Sequence, residues 1–457
     1  MSQSAPHQSL PSGATVTVIG GGLAGSEAAW QLAVRGVQVR LIEMRPDVMT
    51  PAHHSGDLAE LVCSNSLKSE DPATAAGLLK CELEALGSIV LQVARETKVA
   101  AGTALAVDRG DFSARLTQVV SSHPRIEVVR DEAATLPDGH VIIATGPLTS
   151  SAFEPVISGL VGADRLAFFD AAAPIIDAES IDRSIVFAAS RYGKGGGADY
   201  LNAPFTRDEY DRFYDALITA HRATEKDFER RDLFQACQPV EEVGRTGRDA
   251  LRYGALKPVG LTDPRDGGRP WAVVQLRAEN RACNAYNLVG FQTNLKFGEQ
   301  ERVFRMIPGL EEAEFLRFGV MHRNTFIDSP RLLDKTLALR SLPRIRFAGQ
   351  ITGTEGYAEA AASGLLAAIN TWATLVGSEP LVLPETTALG SLTAYSTDQM
   401  TNPYQPMHVN FGIVPPLPDR VKGKRERYAA YSARAQNDLA RWVHEHGDAF
   451  ELGSPDA

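Results

Sequence analysis

The sequence predicts an α/β fold: a Rossmann-like domain over residues 14–150 and 331–457, interrupted by an inserted α+β domain at 151–330. Three observations carry that prediction. Residues 15–43 read as strand, glycine turn, helix and strand. Residues 344–377, "RIRFAGQITGTEGYAEAAASGLLAAINTWATLVG", return to a strand, a glycine turn and an alanine-rich helix. The stretch between them mixes short strands, glycine- and proline-rich turns and one polar helix, which is the signature of an insertion rather than of continued βαβ alternation.

Taken in order, "TVTVIG" is a buried strand, and "GGLAGSEAAWQLAVRG" is a turn entering a helix that stops at Gly36. "VQVRLIEM" follows as the second strand. "RIEVVRD" and "HVIIATG" are two further strands, the latter ending in the small residues Ala144, Thr145 and Gly146. In the insertion, "TRDEYDRFYDALITAHRATEKDFERRD" predicts one long polar helix. After the alanine-rich helix, proline-rich linkers near 378–384 and 415–418 precede a closing helix, in which Tyr428, Tyr431, Leu439 and Trp442 recur at helical spacing as an inward face.

Composition narrows the function classes. With 44% hydrophobic and 22% charged residues over 457 positions, the chain is long enough for two or three cored domains. No apolar run approaches the ~18 residues of a membrane span. "MSQSAPHQSLPSGAT" lacks the basic start and apolar core of a signal peptide, so the expected compartment is the cytoplasm. A net charge of -10 excludes a uniformly basic surface and requires any nucleic acid to meet a local positive patch. The four cysteines form no Cys-x-x-Cys pair and no disulfide framework, and no metal site is expected.

Gly20, Gly22 and Gly25, with Gly21 between the first two, form GxGxxG directly between strand and helix, and Glu43 ends the next strand. The first glycine permits the tight turn, the second lets a pyrophosphate approach the backbone, and the third lets helix and strand pack closely. Helix N-terminal amides would hold the phosphates, and Glu43 would accept from a ribose hydroxyl. A purely structural glycine turn is the plainer alternative. "VIIATG", ending at Gly146, and "FAGQITGTEGYAEAA", with Gly349, Gly353 and Gly356, supply the strand end and second helix N-terminus that extended FAD requires. No second fingerprint is present; "GKGGG" at 193–197 lacks a following helix, so a nicotinamide cofactor would only visit.

Cys63 precedes "SNSLKSE", where serine or asparagine is expected to cap a helix and Lys68 lies nearby; a helix N-terminus and a cation both favour thiolate chemistry. Cys237 sits in "LFQACQPVEEVGRTGRDALRYGALKPVGL" among Arg245, Arg248, Arg252 and Lys257. The plain reading of any one cysteine is a small buried apolar residue. Cys81 and Cys283 are left with that reading.

Several segments together resemble the bacterial folate- and FAD-dependent tRNA (uracil-5-)-methyltransferase family over about residues 15–445. They include "VIGGGLAGSEAAWQLAVRGVQVRLIEMRP", "HHSGDLAELVCSNSLKSE", "ALAVDRGDFS", "SRYGKGGGADYLNAP", "CQPVEEVGRTGRDALRYGALKPVGL", "VGFQTNLKFGEQERVF" and "FAGQITGTEGYAEAAASGLLAAIN". Ala203 stands in "YLNAP" where relatives often carry cysteine, which marks that position as non-catalytic.

The resemblance implies methylation of carbon 5 of the T-loop uridine, position 54, in tRNA. It implies 5,10-methylenetetrahydrofolate as carbon donor and FAD, reduced by NADPH or NADH, as methylene carrier and reductant. It also implies that Cys237 and Cys63 are the two catalytic cysteines, one adding to carbon 6 and one acting as base at carbon 5, in an order the sequence leaves open. Tyr357 would stack on the pterin or pack at a helix start. Arg245, Arg248 and Arg252, beside Cys237, are the expected tRNA contacts, and the basic residues of 420–441 are either a second contact or a solvated face. No membrane and no stable protein partner are expected. The rival readings are the longer flavoprotein that modifies wobble uridine in tRNA, a flavin-dependent RNA-binding protein without methyl transfer, and a generic flavin amine oxidase.

Overall fold

The computed structural model describes residues 10–450 apart from 51, 163–164, 172, 224–237, 320 and 403. Cys237 therefore lies outside the described residues, as does the N-terminal tail through residue 9.

A six-stranded sheet positions the site. Its order is Ala338–Leu339, Leu342–Phe347, His140–Ile143, Thr15–Ile19, Gln38–Glu43 and Ile126–Arg130, parallel throughout except for the first pair. Val16, Val18 and Ile19 are buried, as a central parallel strand covered on both faces demands. The chain leaves Thr15–Ile19 for one neighbour and later returns on the other side. The crevice beyond the carboxyl ends of these strands is thus the switch point where such sheets bind ligands.

Two helices cover that crevice's floor. Leu23–Val34 packs against the alanine-rich Tyr357–Leu375 so closely that a Cβ at Gly364 would collide with the Ala24 backbone. Small side chains therefore set the distance between the two helices that open onto the ligand crevice. The closing helix Lys424–Glu445 turns Leu439 and Trp442 inward, and Tyr431 stacks on Phe411, so its predicted apolar face is the packed one.

Residues 16–161 and 327–449 share one hydrophobic core, and residues 173–313 form a second. The second is built on an antiparallel sheet ordered Phe187–Ala188, Tyr200–Phe205, Ala272–Ala278, Ala285–Leu288, Ile175–Asp177 and Phe315–Arg317. An antiparallel ribbon, Arg165–Ala171 with Met321–Ile327, carries the chain between the two.

Three local expectations are corrected. The polar helix ends at Thr219, residues 220–223 are not helical, and residues 224–232 of the predicted helix lie outside the described residues. A Thr206–Glu209 capping box starts the helix, and at Ala220 the backbone is already extended, with Arg222 bridging to Leu295. The residues after Cys63 form a short strand, Ser66–Ser69, paired with Ala104–Val107, and not a helix start. The Asn65 side chain, instead of capping, donates to the carbonyls of Val107 and Ala278 at 2.9 Å each. Cys283 is exposed rather than buried, because it occupies a tight turn between two hairpin strands with φ of 53°.

Candidate functional site: a dinucleotide crevice ending at a cysteine

The crevice encloses about 420 Å³. Gly20, Gly22, Glu43, Gly146, Gly349, Gly356 and Tyr357 line it together with Cys63, although they come from five separate stretches of chain. Gly20 has φ of 98°, and a Cβ there would lie 2.5 Å from the Ala144 carbonyl oxygen. A Cβ at Gly25 would overlap the Gly20 carbonyl oxygen, so the turn closes only without side chains. Gly22, the N-cap of Leu23–Val34, has open space where its Cβ would be, and faces the cavity. Turn, opening and close helix approach therefore fall on the three fingerprint positions as expected.

Glu43 is buried, and both its oxygens are engaged. Oε2 accepts from the Gly21 N–H at 2.7 Å; Oε1 accepts from the Arg45 N–H at 3.0 Å and from Arg45 Nε at 2.7 Å. Burial opposes its ionisation, yet Arg45's hydrogen bonds and charge, with the Gly21 N–H, hold its carboxyl below the usual range. It ties the glycine turn to the second strand. Close by, burial and the Arg45 charge push His53 down to about 4.

At the other end, Gly356 caps Tyr357–Leu375 and brings a second helix N-terminus to the cavity wall. Within its first turn, Glu359 is buried, with Oε1 paired to Lys68 Nζ at 3.2 Å; Lys68 thus serves Glu359. Gly353 is not part of the lining: the space beside it is taken by the buried Tyr404, whose hydroxyl donates to the Thr352 carbonyl at 2.5 Å.

The Cys63 loop is fixed from several directions. The Tyr357 hydroxyl accepts the Cys63 N–H at 2.9 Å and the Ser64 N–H at 3.2 Å. Arg317 Nη2 donates to the Val62 carbonyl at 2.6 Å, and Arg109 donates to the Leu61 carbonyl. Arg277 Nε donates to Asn65 Oδ1 at 2.8 Å. All three guanidinium groups lie within electrostatic reach of the Cys63 sulfur. Burial lowers Arg277 and Arg317, whereas Arg109, though burial works against it, is raised by Glu279 at 2.9 Å. Sequence reasoning missed this cluster. The one available signal was charge at strand positions, Arg277 and Glu279 in "VVQLRAEN", in a strand otherwise buried.

Arg245, Arg248 and Arg252 are not in the cavity lining. Arg248 pairs with Asp211 at 2.9 Å and with Asp215, and lies over the Tyr214 ring. Arg252 pairs with Asp249 at 2.6 Å and lies over Trp271, 3.6 Å from its centroid. Arg245 makes a looser contact to Glu242 at 3.5 Å and is more than a third exposed. Cys81 sits on the helix Ala75–Ala85, half-buried, its thiol pushed up by burial. Among the described residues, no cluster of His, Cys, Asp and Glu is arranged to hold a metal ion, and no helix is long and apolar enough to cross a membrane.

Comparison with known proteins settles the family. The family described as glucose inhibited division protein A matches residues 15–379. The methylenetetrahydrofolate--tRNA-(uracil-5-)-methyltransferase TrmFO of Moorella thermoacetica is 55% identical over 92% of this chain and 96% of its own. The chain belongs to this methyltransferase family. The member from Heliobacterium modesticaldum is likewise 55% identical, over 94% of this chain and 98% of its own. The family's fold has a solved neighbour in GidA from Aquifex aeolicus. It aligns with a TM-score of 0.67 at 17% identity, over 97% of this chain and 77% of that one. At that identity the likeness speaks for the fold alone.

Proposed function

We infer that the crevice holds FAD and that the chain methylates carbon 5 of a uridine in tRNA, taking the carbon from 5,10-methylenetetrahydrofolate. The observation that carries this reading is the placement of Cys63 in the wall of a crevice that opens on two helix N-termini. The residues present fit the cofactor. The space at Gly22 and the helix start behind it suit a pyrophosphate, and Glu43 stands at the strand end where a ribose would lie. Gly349 and Gly356 line the end of the crevice where the ring would lie, their missing side chains making room for Ala24 and for the Glu359 carboxylate. When bound, FAD carries the one-carbon unit and supplies the reducing equivalents drawn from NADPH or NADH.

The protein's own contribution is to make uracil nucleophilic. Carbon 5 becomes so when a thiolate bonds to carbon 6 and the C5–C6 π pair moves toward C5 and the ring carbonyl. After C5 has bonded to the incoming carbon, a base removes the C5 proton and the electron pair returns to expel the thiolate. Cys63 and Cys237 take these two roles, in either order. Arg109, Arg277 and Arg317 place positive charge where negative charge gathers on sulfur and on the uracil oxygen, so the loop offers a preorganised field as well as a thiol. Tyr357 holds the loop at its backbone.

In this reading the core of residues 16–161 and 327–449 is the FAD-binding domain, and the core of 173–313 is an inserted domain that helps to seat tRNA. The target is the T-arm uridine, position 54, and the compartment is the cytoplasm. Arg245, Arg248 and Arg252 meet phosphates by exchanging their carboxylate partners for the RNA backbone. The deciding experiment incubates holoenzyme with methylenetetrahydrofolate, NADPH and unmodified tRNA and measures 5-methyluridine in wild type, Cys63→Ala and Cys237→Ala. Product in the wild type and none in either variant is expected. Full activity in both variants removes the mechanism.

A further inference from the structure

Three phenylalanines at the edge of the second core form a stack that reaches solvent. Phe318 lies between Phe297 and Phe315, with centroids 4.8 Å and 5.2 Å away and rings tilted by only 16° in each pair. Phe315 packs on the core, whereas Phe297, at the far end, is 54% exposed, and Leu316 beside the stack is 56% exposed. Aromatic pairs favour offset stacking or edge-to-face contact, and within the second core Phe291 and Phe304 take the latter at 78°. A run of near-parallel rings whose last ring faces water is shaped to continue with another flat ring.

Its location ties it to the chemistry. Arg317, between Phe315 and Phe318 in sequence, donates to the Val62 carbonyl, one residue before Cys63. On the other side, the Lys296 N–H donates to the His221 carbonyl at 3.0 Å and the Ala223 N–H donates to the Asn294 carbonyl at 2.7 Å. Arg317 thus links the segment that carries Phe315 and Phe318 to the Cys63 loop, and the segment that carries Phe297 is stitched to residues 221–223. Exposed Lys296 adjoins the outermost ring and can meet a phosphate.

We propose that the Phe297–Phe318–Phe315 stack is a base-stacking platform that receives an unpaired nucleotide of the substrate tRNA next to the reacting uridine. This inference rests on tRNA being the substrate. An enzyme that works on a base in a folded RNA must draw it out of its stack, and the neighbour left behind loses a partner. An aromatic platform replaces that partner with a ring on which any base can stack. Arg317 couples the platform to the cysteine loop, so that seating the neighbouring base also fixes where the target base enters.

The test uses holoenzyme and a T-arm hairpin carrying 2-aminopurine beside the target uridine. Wild type is expected to quench the 2-aminopurine on binding. Phe297→Ala and Phe297→Leu are each expected to lose that quenching and weaken hairpin binding on the order of ten-fold, and Phe297→Trp to restore both. If Phe297→Leu binds and quenches as wild type does, planarity is irrelevant and the proposal is overturned. It is equally overturned if Phe297→Ala leaves hairpin binding intact but changes the oligomeric state in sedimentation, because the patch is then a protein contact. Should wild type itself make no 5-methyluridine, the functional reading fails; active wild type with unaffected Phe297 variants sinks only the platform.

Discussion

The Tyr357 hydroxyl accepts the backbone N–H of Cys63 at 2.9 Å across 294 residues of sequence, joining the second helix start of the crevice to the loop that carries the thiol. The same oxygen accepts from Ser64. Tyr357→Phe keeps the ring and deletes the acceptor, which separates tethering from stacking. Two half-buried N–H groups then lose their partner, at about 1 kcal/mol each. Methylation is expected to fall roughly ten-fold, with Tyr357→Ala lower still. Wild-type turnover in Tyr357→Phe would show that the hydroxyl tether contributes nothing.

Gly25→Ala places a methyl group against the Gly20 carbonyl, in the turn that shapes the phosphate end of the crevice. The purified variant is expected to lose its yellow colour, read as the ratio of flavin to protein absorbance. Gly22→Ala has room in the protein itself, so it should fold normally and lose cofactor only through blocked phosphate approach. A Gly25→Ala protein fully loaded with flavin contradicts the crevice assignment.

Glu279→Gln removes the carboxylate that partners the mostly buried Arg109. Leaving one member of a buried pair unmatched costs about 3–5 kcal/mol. The urea midpoint should therefore fall clearly, and Cys63 should react faster with a thiol reagent as the loop loosens. An unchanged midpoint would mean that solvent reaches Arg109.

Two buried acids set a pH dependence. Glu82 accepts from the N–H groups of Ala388 and Leu389, and Glu241 from Asn294 N–H and Thr293 Oγ1. Burial pushes each up to about 7 despite these bonds. Because the folded value lies above the unfolded one, the folded state binds the extra proton, and its stability falls as pH rises through 7. Between pH 6.5 and 7.5, above the range where the lowered histidines matter and below the value of about 8 to which burial pushes Lys80, each acid should cost about 0.7 kcal/mol, the larger part of its decline lying at lower pH. In urea titrations, Glu82→Gln should lose roughly half of that decline. A wild-type midpoint that rises over this interval would refute the assignment.

Arg245 has the loosest pairing of the three arginines beyond the crevice. If it meets a phosphate, Arg245→Ala should weaken tRNA binding and lower the slope of log affinity against log salt by about one. An unchanged slope would remove Arg245 from the interface.

Legibility in the sequence followed the range of the interaction. The glycine fingerprint, the strand that ends in Glu43 and the alanine-rich helix were readable because their causes are local: a turn needing φ above zero, a period of side chains, a close backbone approach. The polar helix was overextended because its pattern runs on past Thr219, whereas the pairing of Arg222 with Leu295 takes residues 220–223 out of it. "SNSLKSE" reads as a helix cap, yet Asn65 spends its amide on Val107 and Ala278, and a strand results.

By itself, then, the sequence determined a dinucleotide-binding α/β chain, its family and its candidate thiols, since each is encoded within a short window or a specific set of segments. Only the tertiary structure decided what surrounds Cys63. Arg109, Arg277, Arg317 and Tyr357 come from four distant segments, and no local spacing records that they meet. The three guanidinium charges act through space, across a gap closed by the packing of the two cores and invisible along the chain.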